Sequence, residues 1–279
     1  MLDLSPLRVL DARGTALSLG KRPLIMGVIN VTPDSFFEES RHPKASDAVA
    51  TASRFAAEGA DIVDVGGEST RPGHVPIGAE EELNRILPVV RELSRSIAIP
   101  TSIDTYKAKV AEQALAAGAK IVNDVWGLSR DPAMAATVAA HGAAVVIMHN
   151  REKADPSLDI VDELEGFFGK ALERAAAAGI RNDRIVLDPG IGFGKTLEQN
   201  LTILARLEEI VGLGFPVLLG VSRKSFIGKL VPSGPGERLP ATIAANIIGA
   251  LAGVSIIRVH DITAHVQALK IAEAIRGAS

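Results

Sequence analysis

The stretch ALAAGAKIVND, residues 114–124, carries the reading that decides the fold. Alanine and leucine lead into Gly118, a short apolar run follows, and the run ends on Asn123 and Asp124. A glycine just past a helix lets the chain stop in the left-handed conformation. An apolar run of this length bounded by a glycine suits a strand buried on both faces. The same order recurs at Ala-Glu-Gly59, Ala-His-Gly142, Ala-Ala-Gly179, Gly-Leu-Gly214 and Leu-Ala-Gly253. Strands are expected at 24–30, 61–67, 101–104, 120–124, 144–149, 184–188, 216–222 and 255–260. Helical stretches lie between them, for example at 46–58, 80–94, 107–117 and 162–178. Each β-then-α unit spans about 30–35 residues, the length of a βαβ motif. Eight such units predict an α/β protein: a closed (β/α)8 TIM barrel, read as a single domain over 1–279. A short N-terminal extended segment, including 17–20, precedes the first barrel strand and is expected to cover the barrel bottom.

Composition narrows the function. The chain has 279 residues, 47% apolar and 23% charged, enough for one large domain. Thirty basic residues against 33 acidic ones give a net charge of -3, so no basic field for nucleic acid is expected. No cysteine is present, which excludes disulfides, thiolate catalysis and cysteine-ligated metals. The N-terminal residues include acids and lack an apolar core, so no signal peptide is evident and a cytoplasmic protein is expected. Residues 242–259 are nearly all apolar, but Asn246, Gly249 and Gly253 interrupt them. A buried helix running into a buried strand explains that stretch better than a membrane span.

The predicted strands end in polar residues: Asn30, Glu68, Asp104, Asn123-Asp124, His149, Asp188, Ser222-Arg223-Lys224, and Arg258 with His260. In a (β/α)8 barrel the C-terminal strand ends form the active face. Period-two geometry points Arg258 and His260 the same way. Two carboxylates, Asp104 and Asp188, and the amide of Asn123 suit a heterocycle with N–H donors along one edge. Lys224 can donate to a ring atom. Arg258 can stack on an aromatic face while facing an anion. Asn30, Arg71 and His260 add donors for an anion such as diphosphate. Paired carboxylates also serve glycoside hydrolysis, but 4% aromatic content with a single Trp126 argues against a sugar-stacking cleft. His149 and His260 are single histidines without metal-ligand spacing.

The segment LDPGIGFGKT, 187–196, looks like a phosphate-binding loop and fails the count. A P-loop needs glycine where Pro189 stands, and the dinucleotide fingerprint needs glycine where Lys195 stands. Lys195 is therefore expected to be a solvated loop charge.

Eight stretches in chain order resemble the dihydropteroate synthases, a pterin-binding TIM-barrel family. They are GVINVTPDSF (27–36), DVGGESTRPG (64–73), SIDTYKA (102–108), NDVWG (123–127), VIMHN (146–150), LDPGIGFGK (187–195), GVSRKSFIG (220–228) and RVHD (258–261). The resemblance spans nearly the whole chain. It implies the pterin-binding barrel and the joining of a dihydropterin-methyl diphosphate to 4-aminobenzoate, with Mg2+. It also implies a homodimer through the late barrel helices and a sulfonamide target. Carried over by residue, Asp104, Asn123, Asp188, Lys224 and Arg258 form the pterin set. Asn30, Thr70, Arg71, Arg258 and His260 meet the diphosphate, with Asn30 on the metal. Phe36, Thr70, Phe193, Lys224 and Ser225 hold the 4-aminobenzoate, Ser225 near the start of a helix. Asn30, Arg71, Lys224, Arg258 and His260 are the implied catalytic residues. Asp34, Phe36, Ser69, Thr70 and Arg71 belong to two loops expected to be mobile until a ligand organises them.

Departing from the family, Phe37-Glu38-Glu39-Ser40 replaces a serine, an aspartate and glycines. His42, His74, His141 and His265 read as surface residues, and Asp64 and Asp124 as structural hydrogen-bonders. Diphosphate is a good leaving group on a carbon conjugated to an electron-rich ring, so a dissociative path is expected, with loops 31–40 and 68–78 excluding water. Two other readings compete: a methyltetrahydrofolate-dependent methyltransferase of the same fold, and a non-catalytic pterin-binding protein. The former needs neither the diphosphate clamp nor SRKSF, and the latter has no reason to keep both loops.

Overall fold

The computed structural model describes residues 8–20, 22–31, 45–69 and 75–278. Asp34, Phe36, Phe37 to Ser40, His42, Thr70, Arg71 and His74 lie outside the described residues.

Two short strands, β1 (Arg8–Ala12) and β2 (Thr15–Leu19), pair antiparallel before the barrel begins. The barrel strands follow as β3 (Leu24–Asn30), β4 (Ile62–Gly66), β5 (Thr101–Asp104), β6 (Ile121–Asp124), β7 (Ala144–Met148), β8 (Ile185–Asp188), β9 (Leu218–Leu219) and β10 (Ile256–Val259). Between and after them run α1 (Ala45–Glu58), α2 (Ala79–Ser96), α3 (Ala108–Ala116), α4 (Met134–His141) and α5 (Ile160–Ala177). Then come α6 (Leu197–Ala205), α7 (Leu207–Val211), α8 (Ser225–Leu230), α9 (Leu239–Leu251) and α10 (Ile262–Gly277). The strand order is β8-β7-β6-β5-β4-β3-β10-β9, and each pairing of neighbouring strands in that sheet is parallel. A bridge between Leu187 and Val217 joins β8 to the β9 segment and brings the sheet round to a barrel. All six glycines read as helix stops, Gly59, Gly118, Gly142, Gly179, Gly214 and Gly253, have positive φ, the conformation that ends each helix without a Cβ penalty.

The seventh strand is shorter than its apolar run suggested. Pro216 has no N–H to give, and after Gly220 the chain turns, with Lys224 N donating to Val221 O and Arg223 at φ 59°. The apolar stretch 242–259 is a helix, α9, leading to strand β10, as read from sequence. Among the described residues no helix is long and apolar enough to cross a membrane.

Side-chain parity divides the barrel. Ile25, Val63, Ile103, Val122, Val145, Leu187 and Ile257 point outward into the core shared with the helices. Met26, Ile62, Ile121, Val146, Val186 and Ile256 point inward, where Leu10, Ala12 and Leu19 of the hairpin join them. The hairpin therefore plugs the bottom of the barrel, fixed by Arg13 Nη1 donating to Leu115 O (2.5 Å) and by an Arg184–Asp11 pair (2.8 Å).

Candidate active site

Two residues above the apolar plug, the inward positions turn polar: Asp64 above Ile62, Asn123 above Ile121, Asp188 above Val186 and Arg258 above Ile256. Asp104 and Asn123 are register partners on neighbouring strands, and Asn30 pairs with Gly66 at the end of β3. Asp104, Asn123, Asp188 and Arg258, four of the strand-end residues of the sequence reading, thus share the inward parity at this rim.

Asp64 is the hub. It is fully buried, and its Oδ2 accepts from Arg258 Nε (2.7 Å) and Asn123 Nδ2 (3.0 Å). Arg258 Nη2 donates to Asp104 Oδ2 (2.8 Å). Donation from Nδ2 turns the other end of the Asn123 amide away from Asp64. Asp64 Oδ1, Asp104 Oδ1 and Asn123 Oδ1 are buried oxygens without a hydrogen-bond partner. Such groups are rare in native interiors and mark a place where a ligand or an ion is expected. All three are acceptors, so they fit a ligand that brings N–H donors.

Asp188 Oδ1 accepts from Gly190 N (2.7 Å), starting a loop of close backbone turns in which Gly190, Gly192 and Gly194 all have positive φ. Lys224 reaches over this loop, donating to Ile191 O with its ammonium 4.5 Å from the Phe193 ring centre. Ser222 Oγ lies 2.9 Å from His260 Nδ1. Between Ser222 and Lys224, Arg223 holds a left-handed conformation that is costly for a side-chain-bearing residue. It is clamped there by Asp261, which accepts from its Nε (3.1 Å) and Nη2 (2.6 Å), and by Thr242 Oγ1, which accepts from its N–H (3.1 Å). Ser225 opens α8 and is exposed.

Burial pushes the Asp104 carboxyl up to about 7, against the pull of Arg258. Burial likewise raises Asp188, opposed by Lys224, and lowers the Lys224 ammonium to about 8, opposed by Asp188. For Arg258 burial disfavours the charge, but Asp64 and Asp104 outweigh it and the guanidinium stays charged. A second cluster sits beside the first. Glu68, the last strand-end carboxylate of β4, pairs with Lys107 and accepts from Tyr106 (3.0 Å), and Lys107 also holds buried Glu82 (2.5 Å). Ser69, which follows Glu68, also makes a contact.

Two sequence expectations change. Lys195 is not a solvated charge: its amine is enclosed by His149 Nδ1 and three backbone carbonyls. His265 is not on the surface. It is 1% exposed, donating from Nδ1 to Asp261 O (2.6 Å), while Asn246 Nδ2 lies 3.0 Å from its Nε2. Asp64 is the structural hydrogen-bonder the sequence suggested, accepting from both Arg258 and Asn123, and strand parity with Ile62 gives the direction in which it points. Asp124 has the opposite parity and serves the backbone, accepting from Trp126 N (2.9 Å) and Leu128 N (2.7 Å). His149 shares that outward parity and lies behind the site, its imidazole kept neutral by burial with a pKa near about 2.

No group of three or more histidines or carboxylates among the described residues could hold a metal. Asn30 offers one side-chain oxygen at the rim. That donor set suits a hard cation that keeps its waters and arrives on phosphate oxygens.

The model of a family described as pterin binding enzyme matches residues 26–260. The dihydropteroate synthase of Bacillus subtilis is 40% identical, over 96% of this chain and 94% of its own. The chain belongs to the pterin-binding enzyme family, among the dihydropteroate synthases. Two solved relatives are close in shape. The Xanthomonas albilineans dihydropteroate synthase, determined with 4-aminobenzoic acid, has a TM-score of 0.93 at 42% identity, covering 97% of this chain and 99% of its own. The Burkholderia cenocepacia enzyme, complexed with 7,8-dihydropteroate, has a TM-score of 0.88 at 36% identity, covering 98% of each chain.

Proposed function

We infer that this protein is a transferase that joins a dihydropterin to 4-aminobenzoate, giving 7,8-dihydropteroate and releasing diphosphate. The observation that carries the reading is the set of buried, unpartnered acceptors on Asp64, Asp104 and Asn123 beside Arg258 and Lys224. A pterin edge carries the donors these oxygens lack, and burial strengthens each bond formed there. Incubation with both substrates and Mg2+ should yield dihydropteroate and diphosphate in equal amounts; absence of dihydropteroate would overturn the reading.

The reaction is proposed to be dissociative. Departing negative charge meets Arg258, His260 and Asn30, with Arg71 from the second loop, and Lys224 donates to the pterin ring. The arylamine is neutral near pH 7 and attacks through its lone pair, so no strong base is required. Phe193 and Ser225 are proposed to flank the 4-aminobenzoate. Mg2+, with Asn30 as its protein oxygen, would neutralise charge on the diphosphate. Ordered binding follows if diphosphate organises loops 31–40 and 68–78. The affinity for 4-aminobenzoate should then rise by about 1–3 kcal/mol when diphosphate and Mg2+ are present, a reciprocal coupling. Equal affinity in both titrations would mean that the pocket is preformed.

A homodimer is proposed through α6, α8 and α9, supported by exposed Leu201, Leu230, Val231 and Ile248 on one apolar face. Ile248→Asp should shift the sedimentation coefficient to that of a monomer. A cytoplasmic location is proposed because a diphosphate substrate is too highly charged to cross a membrane unaided.

A further inference from the structure

The loop that starts at Asp188 and carries Phe193 is held from behind by one side chain. Lys195 Nζ donates to Gly190 O (2.9 Å), Phe193 O (3.1 Å) and His149 O (3.3 Å), and lies 2.8 Å from His149 Nδ1. Burial pulls the Lys195 amine well below the ordinary lysine range, with Asp188 opposing the shift, and its N–H groups serve carbonyls at several points of the turn at once. His149 is seated for this task at the end of β7, its ring edge-on to Phe167 with centroids 4.9 Å apart. Its Nε2 lies 3.7 Å from Glu163 Oε1. The backbone on either side is packed to contact. A Cβ at Gly190 would collide with His149 O, and one at Gly194 with Arg151 O. Arg151 Nη2 donates to Gly194 O (3.0 Å), and Asn200 Oδ1 accepts from Gly192 N (2.6 Å). Lys195 is near enough to Asp188 and Lys224 to feel both charges, but none of its hydrogen bonds goes to either. The two ends of the loop face the polar cluster: Asp188 on one side, and Phe193 under Lys224 on the other.

We propose that Lys195, with His149 as its seat, is a positioning residue that fixes Asp188 and Phe193 relative to each other, and so couples the pterin and 4-aminobenzoate subsites. The inference rests on the subsite reading above. It explains why a lysine closes a glycine-rich loop that fails both the P-loop and the dinucleotide patterns: its N–H groups are spent on the loop's own carbonyls rather than on a ligand. A loop with three positive-φ glycines has many alternatives once those carbonyls are released.

The test compares five variants by calorimetric titration with the dihydropterin diphosphate substrate, and with 4-aminobenzoate in the presence of diphosphate and Mg2+. Lys195→Met should weaken both ligands by about tenfold or more, the effect of losing several buried hydrogen bonds from a positioning group. Asp188→Asn should weaken the pterin ligand alone. Arg184→Met breaks its ion pair at the opposite end of the barrel and should lower Tm while leaving both affinities unchanged, which separates positioning from stability. His149→Asn, which keeps an acceptor near the Nδ1 position, should stay within about threefold of wild type, whereas His149→Leu should weaken both ligands. If Lys195→Met does not fold, the two His149 variants decide. Native affinities in Lys195→Met, or in His149→Leu, alongside a weakened Asp188→Asn would overturn the positioning role. An unchanged Asp188→Asn would instead overturn the subsite reading itself.

Discussion

The lower and upper halves of the barrel interior come from the same strands at the same side-chain parity. Below, Met26, Ile62, Ile121, Val186 and Ile256 close on the hairpin residues Leu10, Ala12 and Leu19. Two residues further along, roughly 7 Å at the rise of a strand, the same strands present Asp64, Asn123, Asp188 and Arg258. The lower half removes apolar surface from water, and its polar intrusion is small: Ser102 Oγ, in register with Ile121, is a neutral hydroxyl buried without a partner. The upper half buries carboxylates against too few cations and keeps acceptor oxygens unpartnered. Stability is therefore drawn from one half, and the strained, ligand-ready chemistry from the other.

The largest effect should come from Arg258, whose loss harms both properties. Arg258→Met leaves Asp64 and Asp104 buried without their cation, a change that costs about 3–5 kcal/mol. Urea unfolding should show that loss, together with loss of turnover. Arg258→Lys keeps the charge but not the fork, so it should retain most of the stability and lose turnover roughly 10- to 100-fold. Near-native turnover in Arg258→Lys would remove the guanidinium fork from the mechanism.

Ile121→Ala tests the lower half. Deleting a buried side chain there should cost about 2–5 kcal/mol of stability. At temperatures where the variant stays folded, kcat/KM should be unchanged. A large shift in pterin affinity would mean that the plug sets the geometry two residues above it. The next effect is Asp104→Asn in the upper half. A donor then faces a donor, and pterin affinity should fall by roughly 2–4 kcal/mol, or 30- to 1000-fold. Unchanged affinity would take Asp104 out of the pterin subsite.

The strand ends were legible because glycine stops and apolar runs fix where each βα unit begins and ends. The barrel rule then names the active face. Legible too was the place of Asp104, Asn123 and Asp188 at the buried strand ends of that face. What escaped depended on direction rather than identity. Asp64 and Asp124 look alike in sequence, yet one points into the barrel and the other turns back to its own loop. Lys195 reads as a surface charge because lysines usually are. Only the folded loop reveals three carbonyls aimed at one point. His265 was missed for a similar reason: its partner Asn246 lies on a different helix, and no local pattern links them. The early end of β9 follows from Arg223 adopting a left-handed turn held by Asp261, a long-range pair that no local propensity encodes.

The smallest effect separates the halves by proton. Asp104 titrates near about 7 because burial outweighs Arg258, and Lys224 near about 8 because burial outweighs Asp188. A ligand bringing N–H donors needs Asp104 ionised, and donation to its ring needs Lys224 protonated. kcat/KM for the pterin substrate should therefore rise with pH toward about 7 and fall above about 8, with limbs of up to tenfold per unit. His149, held near about 2, adds no limb in this range. The stability signs run the other way. Between 3.8 and about 7 the native Asp104 keeps a proton that the unfolded chain has released, so its contribution weakens as pH rises through that window. Between about 8 and 10.5 the unfolded chain keeps the Lys224 proton that the native state has lost, so stability rises with pH there. Asp104→Asn should abolish the acid limb of kcat/KM, while Ile121→Ala should keep both limbs despite its larger loss of stability. A flat wild-type profile from pH 5 to 9 would mean that neither group titrates in the free enzyme. The upper half would then hold its charges as firmly as the lower half holds its apolar core, and the contrast between them would lie in shape alone.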